Sequence, residues 1–146
     1  MSYWIFKTDP KHYRVDERLK DPDPETSWRV TRYKDEIRQG DIAFIWRTAN
    51  DRGICAVMRI DTLPEERTEL ENEQKYNSER DTKLRLRVEG AFTHRFDCIS
   101  HKELKAIPEL ENLSVFSKQV YQSGTNFKVT EEGEVIMKLI KTRNGK

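Results

Sequence analysis

Glycine is scarce in this chain, with six residues in 146. That leaves too few for a phosphate-cradling loop, and no Gly-x-x-x-x-Gly-Lys, Gly-x-Gly-x-x-Gly or Gly-x-Ser-x-Gly motif occurs. Two cysteines, Cys55 and Cys98, stand far apart without Cys-x-x-Cys spacing. Cys55 falls inside an apolar strand and reads as a reduced core thiol. His12, His94 and His101 are dispersed, and no His or Cys pair has ligand spacing, so no metal site is expected. No cofactor is expected either. No apolar run approaches the roughly 20 residues that span a bilayer, and the start is not a signal peptide. The expectation is a protein without a membrane partner in a reducing cytoplasm. Charge of one sign is also missing. Lys and Arg total 27 against 26 Asp and Glu, a net charge of +1. A global pull toward polyanions is therefore excluded, and only local charge can argue for nucleic acid.

What the chain does have is charge density and recurring aromatics. Charged residues make up 36% and hydrophobic residues 35%. The aromatic and β-branched residues spread throughout argue for a compact core rather than disorder. The length suits one domain, residues 1–146. Residues 29–38 collect Arg29, Arg32, Lys34 and Arg38, while Glu65, Glu66, Glu69, Glu71 and Glu73 form an acidic stretch. Either can also be an ordinary solvated face.

Apolar patterning places the elements. Tyr3–Lys7 begins at once as a strand, ended by Thr8-Asp9-Pro10. Residues 11–20 read as a short helix, and a strand passes through Trp28. A helical turn is expected near Tyr33–Ile37, with strands at 42–46 and 54–60. The acidic stretch is a helix or a loose loop. Lys83–Glu89 alternates, which predicts a strand with Lys83, Arg85, Arg87 and Glu89 outward. Ser100–Glu103 has capping-box spacing before a helix. Residues 122–127 read as a loop, and Thr130 as the cap of a final helix with Val135, Ile136, Leu139 and Ile140 on its apolar face. About six strands and two to four helices result. The fold class is α+β, a bent, mostly antiparallel sheet or small β-barrel with flanking short helices.

Two indoles carry the functional argument. Trp28 and Trp46 each stand beside an arginine and near a hydroxyl, in Ser27-Trp28-Arg29 and Trp46-Arg47-Thr48. Such a pair can stack a planar ring and hold a phosphate next to it. Each can equally be core. A Cys98–His94 nucleophilic pair is disfavoured, since nothing marks Cys98 as activated. No carboxylate pair stands out for acid–base work, so no catalytic residue is assigned.

The ordered set Tyr3-Trp4-Ile5-Phe6-Lys7-Thr8-Asp9-Pro10, Trp28-Arg29-Val30, Ile37–Arg47, Gly53–Val57 and Gln122–Thr130 resembles the EVE family of the PUA-like superfamily. That family is similar in fold to YTH domains, which read a methylated adenine in RNA through an aromatic cage. EVE domains are associated with modified bases in DNA, including fusions to restriction-type nucleases and AAA+ motors. The resemblance implies a pocket between Lys7-Thr8-Asp9, the Trp28 strand and the end of the Trp46 strand. The second YTH cage tryptophan comes from a later segment and has no clear match here, which leaves Trp46 to fill that role from another direction.

The expectation is thus a non-enzymatic module for a modified, methylated base, in DNA rather than RNA. Its base pocket would comprise Lys7, Thr8, Asp9, Ser27, Trp28, Trp46, Thr48 and Asn126. Arg29, Arg32 and Arg47 would hold phosphates. Its partner would be modified DNA or RNA, with a nuclease or AAA+ motor as a further partner or fusion. Two other readings stand beside it: a small-molecule or nucleotide hydrolase on an ASCH-like scaffold, and a structural partner module whose indoles lie in its core or at a protein interface.

Overall fold

The computed structural model describes residues 1–48, 52–78, 83–111, 113 and 126–144. Among the described residues seven strands form one sheet: β1 (Tyr3–Thr8), β2 (Glu25–Arg29), β3 (Ile42–Arg47), β4 (Gly53–Ile60), β5 (Glu65–Arg67), β6 (Arg85–Ser100) and β7 (Asn126–Val129). Their order is β2-β6-β4-β3-β1-β7, with β5 added to β6. Only the β1–β3 pairing is parallel among these strands. The helices are α1 (Val15–Lys20), α2 (Glu71–Gln74), α3 (His101–Lys105) and α4 (Glu132–Asn144), with a 3-10 turn at Pro108–Leu110.

The side-chain period of two sorts the apolar strands onto two faces. Ile5, Phe44, Trp46, Ile54, Val57 and Ile99 point to one face, where they pack under Leu104 of α3 and Ile136 and Ile140 of α4. Trp4, Phe6, Ala43, Ile45, Ala56, Met58 and Ile60 point to the other, together with Val15, Trp28, Val88 and Phe92. Both faces of the central strands are therefore buried, which is why β3 and β4 read as continuous apolar runs. β6 is long enough to pair with β2, β5 and β4 in turn, and its register against β4 shifts twice. At Gly90 it passes so close to β4 that a Cβ would lie 2.0 Å from the Arg59 carbonyl oxygen.

The two ends of the sheet path come together at Asn126. Its buried Oδ1 accepts from the Thr31 and Arg32 amides at 2.9 and 3.1 Å, and its Nδ2 donates to the Arg32 carbonyl at 2.7 Å. One side chain on β7 thus clasps the chain leaving β2, and the sheet curls into a half-barrel.

Several expectations change in this fold. α1 is shorter than 11–20 because residues 9–13 fold into a turn, with the His12 and Tyr13 amides both donating to the Asp9 carbonyl. The acidic stretch contains β5 and α2 rather than one helix or a loose loop. Arg87 does not face out: β2 and β5 flank it, its Nε donates to the Arg67 carbonyl at 3.2 Å, and it is buried. Ser100 caps α3 as expected, accepting from the Glu103 amide at 3.1 Å. Thr130 instead donates its hydroxyl to Glu132, at 2.8 Å, while its carbonyl accepts from the Gly133 amide. Residues 122–125 of the expected loop lie outside the described residues. Cys55 is not a free thiol. β4 and β6 pair Ile54 with Ile99, which sets Cys55 against Cys98, and the two form a disulfide.

Candidate functional site

A cavity of about 400 Å³ opens where β1 ends. Lys7, Thr8 and Asp9 form one side, Ser27, Trp28 and Arg29 of β2 another, and Arg87 of β6 contributes from the strand beside β2. His12 and Tyr13 close it from the turn before α1, and Glu69 and Asn77 from the segments flanking α2.

Local sequence explains the placement. Pro10 stops β1, and Asp9 shapes the turn after it: Oδ1 accepts from the Lys11 amide at 2.9 Å and its carbonyl accepts from His12 and Tyr13. The turn throws Tyr13 back over the sheet. There a bridge to Asn77 pins it, with Arg14 donating to the Tyr76 carbonyl and Ser78 to that of His12. Tyr13 lies against Trp28 with ring centroids 5.5 Å apart and planes at 75°. Phe6 meets the same indole edge to face at 6.4 Å. The Trp28 Nε1–H donates to Thr26 Oγ1 at 2.9 Å, so the indole is orientationally fixed. It is 9% exposed. That is a core residue with one patch left on a cavity.

Cations and carboxylates share the site. Lys7 is held below the usual lysine range by burial first and by Arg32 second, with Asp9 acting the other way. The Tyr13 phenol is pushed well above its usual value by burial, then by the charge of Glu73, to which its hydroxyl donates. It therefore stays a neutral donor. Asn77 Nδ2 donates to Glu69 at 2.6 Å, fixing the far wall. Together the walls offer an aromatic surface, carboxylate acceptors and ammonium, guanidinium and hydroxyl donors. Such a set suits a planar heterocycle with polar edges.

The structure does not bring the two indoles together. In the parallel β1–β3 register Trp46 partners Lys7 and shares parity with Phe44, so its ring enters the cluster on the opposite face of the sheet from Trp28. Trp46 is fully buried and packs edge-on to His101 at 5.9 Å. Thr48 also lies outside the cavity, where its amide donates to the Thr8 carbonyl at 2.9 Å. Asn126 is the clasp described above. Arg47 pairs with Asp16 of α1 at 2.6 Å, and Arg32 lies over the Phe127 ring at 5.9 Å. Neither lines the cavity, whereas Arg29 does. The sequence reading missed His12, Tyr13, Glu69, Asn77 and Arg87. Tyr13 had a signal, an aromatic three residues after Pro10 and close behind Asp9.

The family model for the EVE domain matches residues 2–139. The chain belongs to the EVE domain family. Its fold is the α+β, PUA-like one. Solved structures that share this fold include a hypothetical protein from Leishmania major, 16% identical, with a TM-score of 0.66 over 100% of this chain and 98% of that one. Human THYN1 in complex with 5-methylcytosine-containing DNA matches at 20% identity and a TM-score of 0.63, over 97% and 98% of the two chains. The YTH domain-containing protein mmi1, in complex with RNA, matches at 12% and 0.56, over 99% and 87%. At these identities the likeness is one of fold. No curated protein sequence matches this EVE domain.

Proposed function

We propose that this EVE domain binds nucleic acid and receives one extruded, modified base in the Trp28 cavity, with a methylated base in DNA preferred to RNA. It is a binding module, one domain over residues 1–146, with no catalysis of its own. The observation that carries the reading is the cavity itself: a fixed indole, a carboxylate at Asp9 and a cation at Arg29 around one opening. Its size falls in the range of small-ligand pockets. The family supports the reading, as do the DNA and RNA held by human THYN1 and mmi1.

The physics divides the work. A base taken out of its stack loses a few kcal/mol, which aromatic contact and edge hydrogen bonds must repay. A methyl group adds about 0.8 kcal/mol when buried against an apolar wall. Asp9 accepts from an exocyclic amine or ring N–H, and Arg29, with Arg32 and Arg47 farther out, faces the backbone. A nuclease or AAA+ motor, as partner or fusion, is the assembly that would act on what this module reads.

The test is a panel of short DNA and RNA oligonucleotides with different base modifications, each beside its unmodified control. The expected result is one modification bound several-fold tighter, with affinity falling as salt rises. Binding to none of them sinks the proposal. Turnover of free nucleotides in the same assay would favour the hydrolase reading instead.

A further inference from the structure

Behind the cavity lies an ion pair that does not line it. Arg18 on α1 is fully buried, and its Nε donates to Oε1 of buried Glu73 on α2 at 2.9 Å. The rest of the guanidinium donates to the carbonyl of Asp23, just before β2, at 2.9 Å, and to that of Glu25, the first residue of β2. Its plane lies over the rings of Phe92 and Tyr76, at 5.1 and 6.0 Å. The second oxygen of Glu73 accepts the Tyr13 hydroxyl. The ion pair therefore joins three stretches of chain, each of which brings a wall to the cavity: the turn that carries Tyr13, through Glu73, the strand that carries Trp28, through Arg18, and the α2 segment that carries Glu69 and Asn77.

Burying two charges is costly, and a well-packed apolar pair would serve stability as well or better. What hydrogen-bonded charges add is direction. The Tyr13 ring has two soft torsions, and its hydroxyl contact with Glu73 ties its far end. Arg18 in turn leaves Glu73 few other orientations, because both carboxylate oxygens are engaged.

We infer that Arg18 and Glu73 are positioning residues for base recognition, holding Tyr13 edge-on against Trp28 and so fixing the angle between two adjoining aromatic walls of the cavity a base enters. This rests on the base-binding reading of the cavity. Tyr13 is then the second aromatic wall, the place the sequence reading gave to Trp46.

The experiment is a double-mutant cycle on Tyr13→Phe and Glu73→Gln, read as the ratio of affinities for the preferred modified oligonucleotide and its unmodified control. A ratio is insensitive to how much protein is folded, so a merely structural role leaves it unmoved. Tyr13→Phe keeps the ring and removes the tether, and the ratio is expected to fall about fivefold to tenfold; the buried Glu73 oxygen left without its donor also lowers the melting temperature, a change the ratio does not register. Glu73→Gln should lower the ratio to a similar level. In the Tyr13→Phe background it should lower it no further, because both act on one contact. Should Glu73→Gln fail to fold, Tyr13→Phe decides alone. A wild-type ratio retained by Tyr13→Phe, or effects that multiply in the double variant, overturn the inference. If Trp28→Ala abolishes the preference while Tyr13→Phe leaves it intact, only the positioning role falls. A wild-type protein with no preference among the oligonucleotides removes the functional reading and this inference together.

Discussion

Removing the Trp28 indole takes a wall from the cavity and a piece from a core cluster at once. Trp28→Ala is therefore expected to lose discrimination between modified and unmodified nucleic acid and to cost about 3–5 kcal/mol of stability. Trp46→Ala should cost a similar about 3–5 kcal/mol and leave discrimination by the folded fraction unchanged, since its ring is on the other face. Chemical denaturation alongside oligonucleotide titration separates the two; a discrimination loss in Trp46→Ala would contradict the assignment. Asp9→Ala should reduce affinity for the preferred base more than for others, and equal losses would mean that Asp9 serves only its turn. His101 supplies a pH effect. Its Nδ1 accepts from Arg52 Nε at 2.8 Å, and burial, then the charges of Arg52 and Lys105, keep its pKa below the ordinary 6.5. The unfolded ring takes a proton first as pH falls. The stability it contributes is complete above about pH 6.5 and is lost as pH drops through the lower folded value. Urea midpoints should fall between about pH 7 and about pH 5, and His101→Asn should make that slope shallower.

At the scale of elements, the disulfide makes the clearest claim. It ties β4 to β6 across a separation of 43 residues, and closing a loop of that length is worth up to about 4 kcal/mol through the unfolded chain. Reductant should lower stability by about 2–4 kcal/mol in urea titrations, and an unchanged midpoint would show two free thiols. No spacing rule exposes such a pair, because it depends on which strands become neighbours. The same limit governed the site. β1, β3, β4, the capped α3 and the apolar face of α4 were legible because period and capping are local. So was the Lys7–Asp9 and Ser27–Arg29 part of the cavity, which sits at strand ends. Trp46 was misplaced because its face is set by the register of β3 on β1, a non-local quantity. Arg87 was read as outward because alternation does not reveal that β2 and β5 would flank its strand. Glu69 and Asn77 lay in a stretch whose charge looked like plain surface.

For the whole molecule, near-neutral net charge means that any attraction to nucleic acid is a matter of placement. If Arg29, Arg32 and Arg47 each meet one phosphate, log affinity should fall against log salt with a slope of about −2 to −3. Neutralising the three should flatten that slope and weaken modified and unmodified oligonucleotides alike. A flat slope in the wild type would exclude backbone contacts by these residues. The position of β1 has a consequence of another kind. It is an interior strand, hydrogen-bonded to β3 on one side and to β7 on the other. During synthesis its second neighbour emerges more than a hundred residues later, so the nascent chain carries an unpaired edge at Tyr3–Phe6 until β7 arrives. Maturation of this domain on the ribosome is thus a late, end-joining event, and a chain stopped before residue 126 should be captured by chaperones or aggregate rather than persist as a soluble fragment.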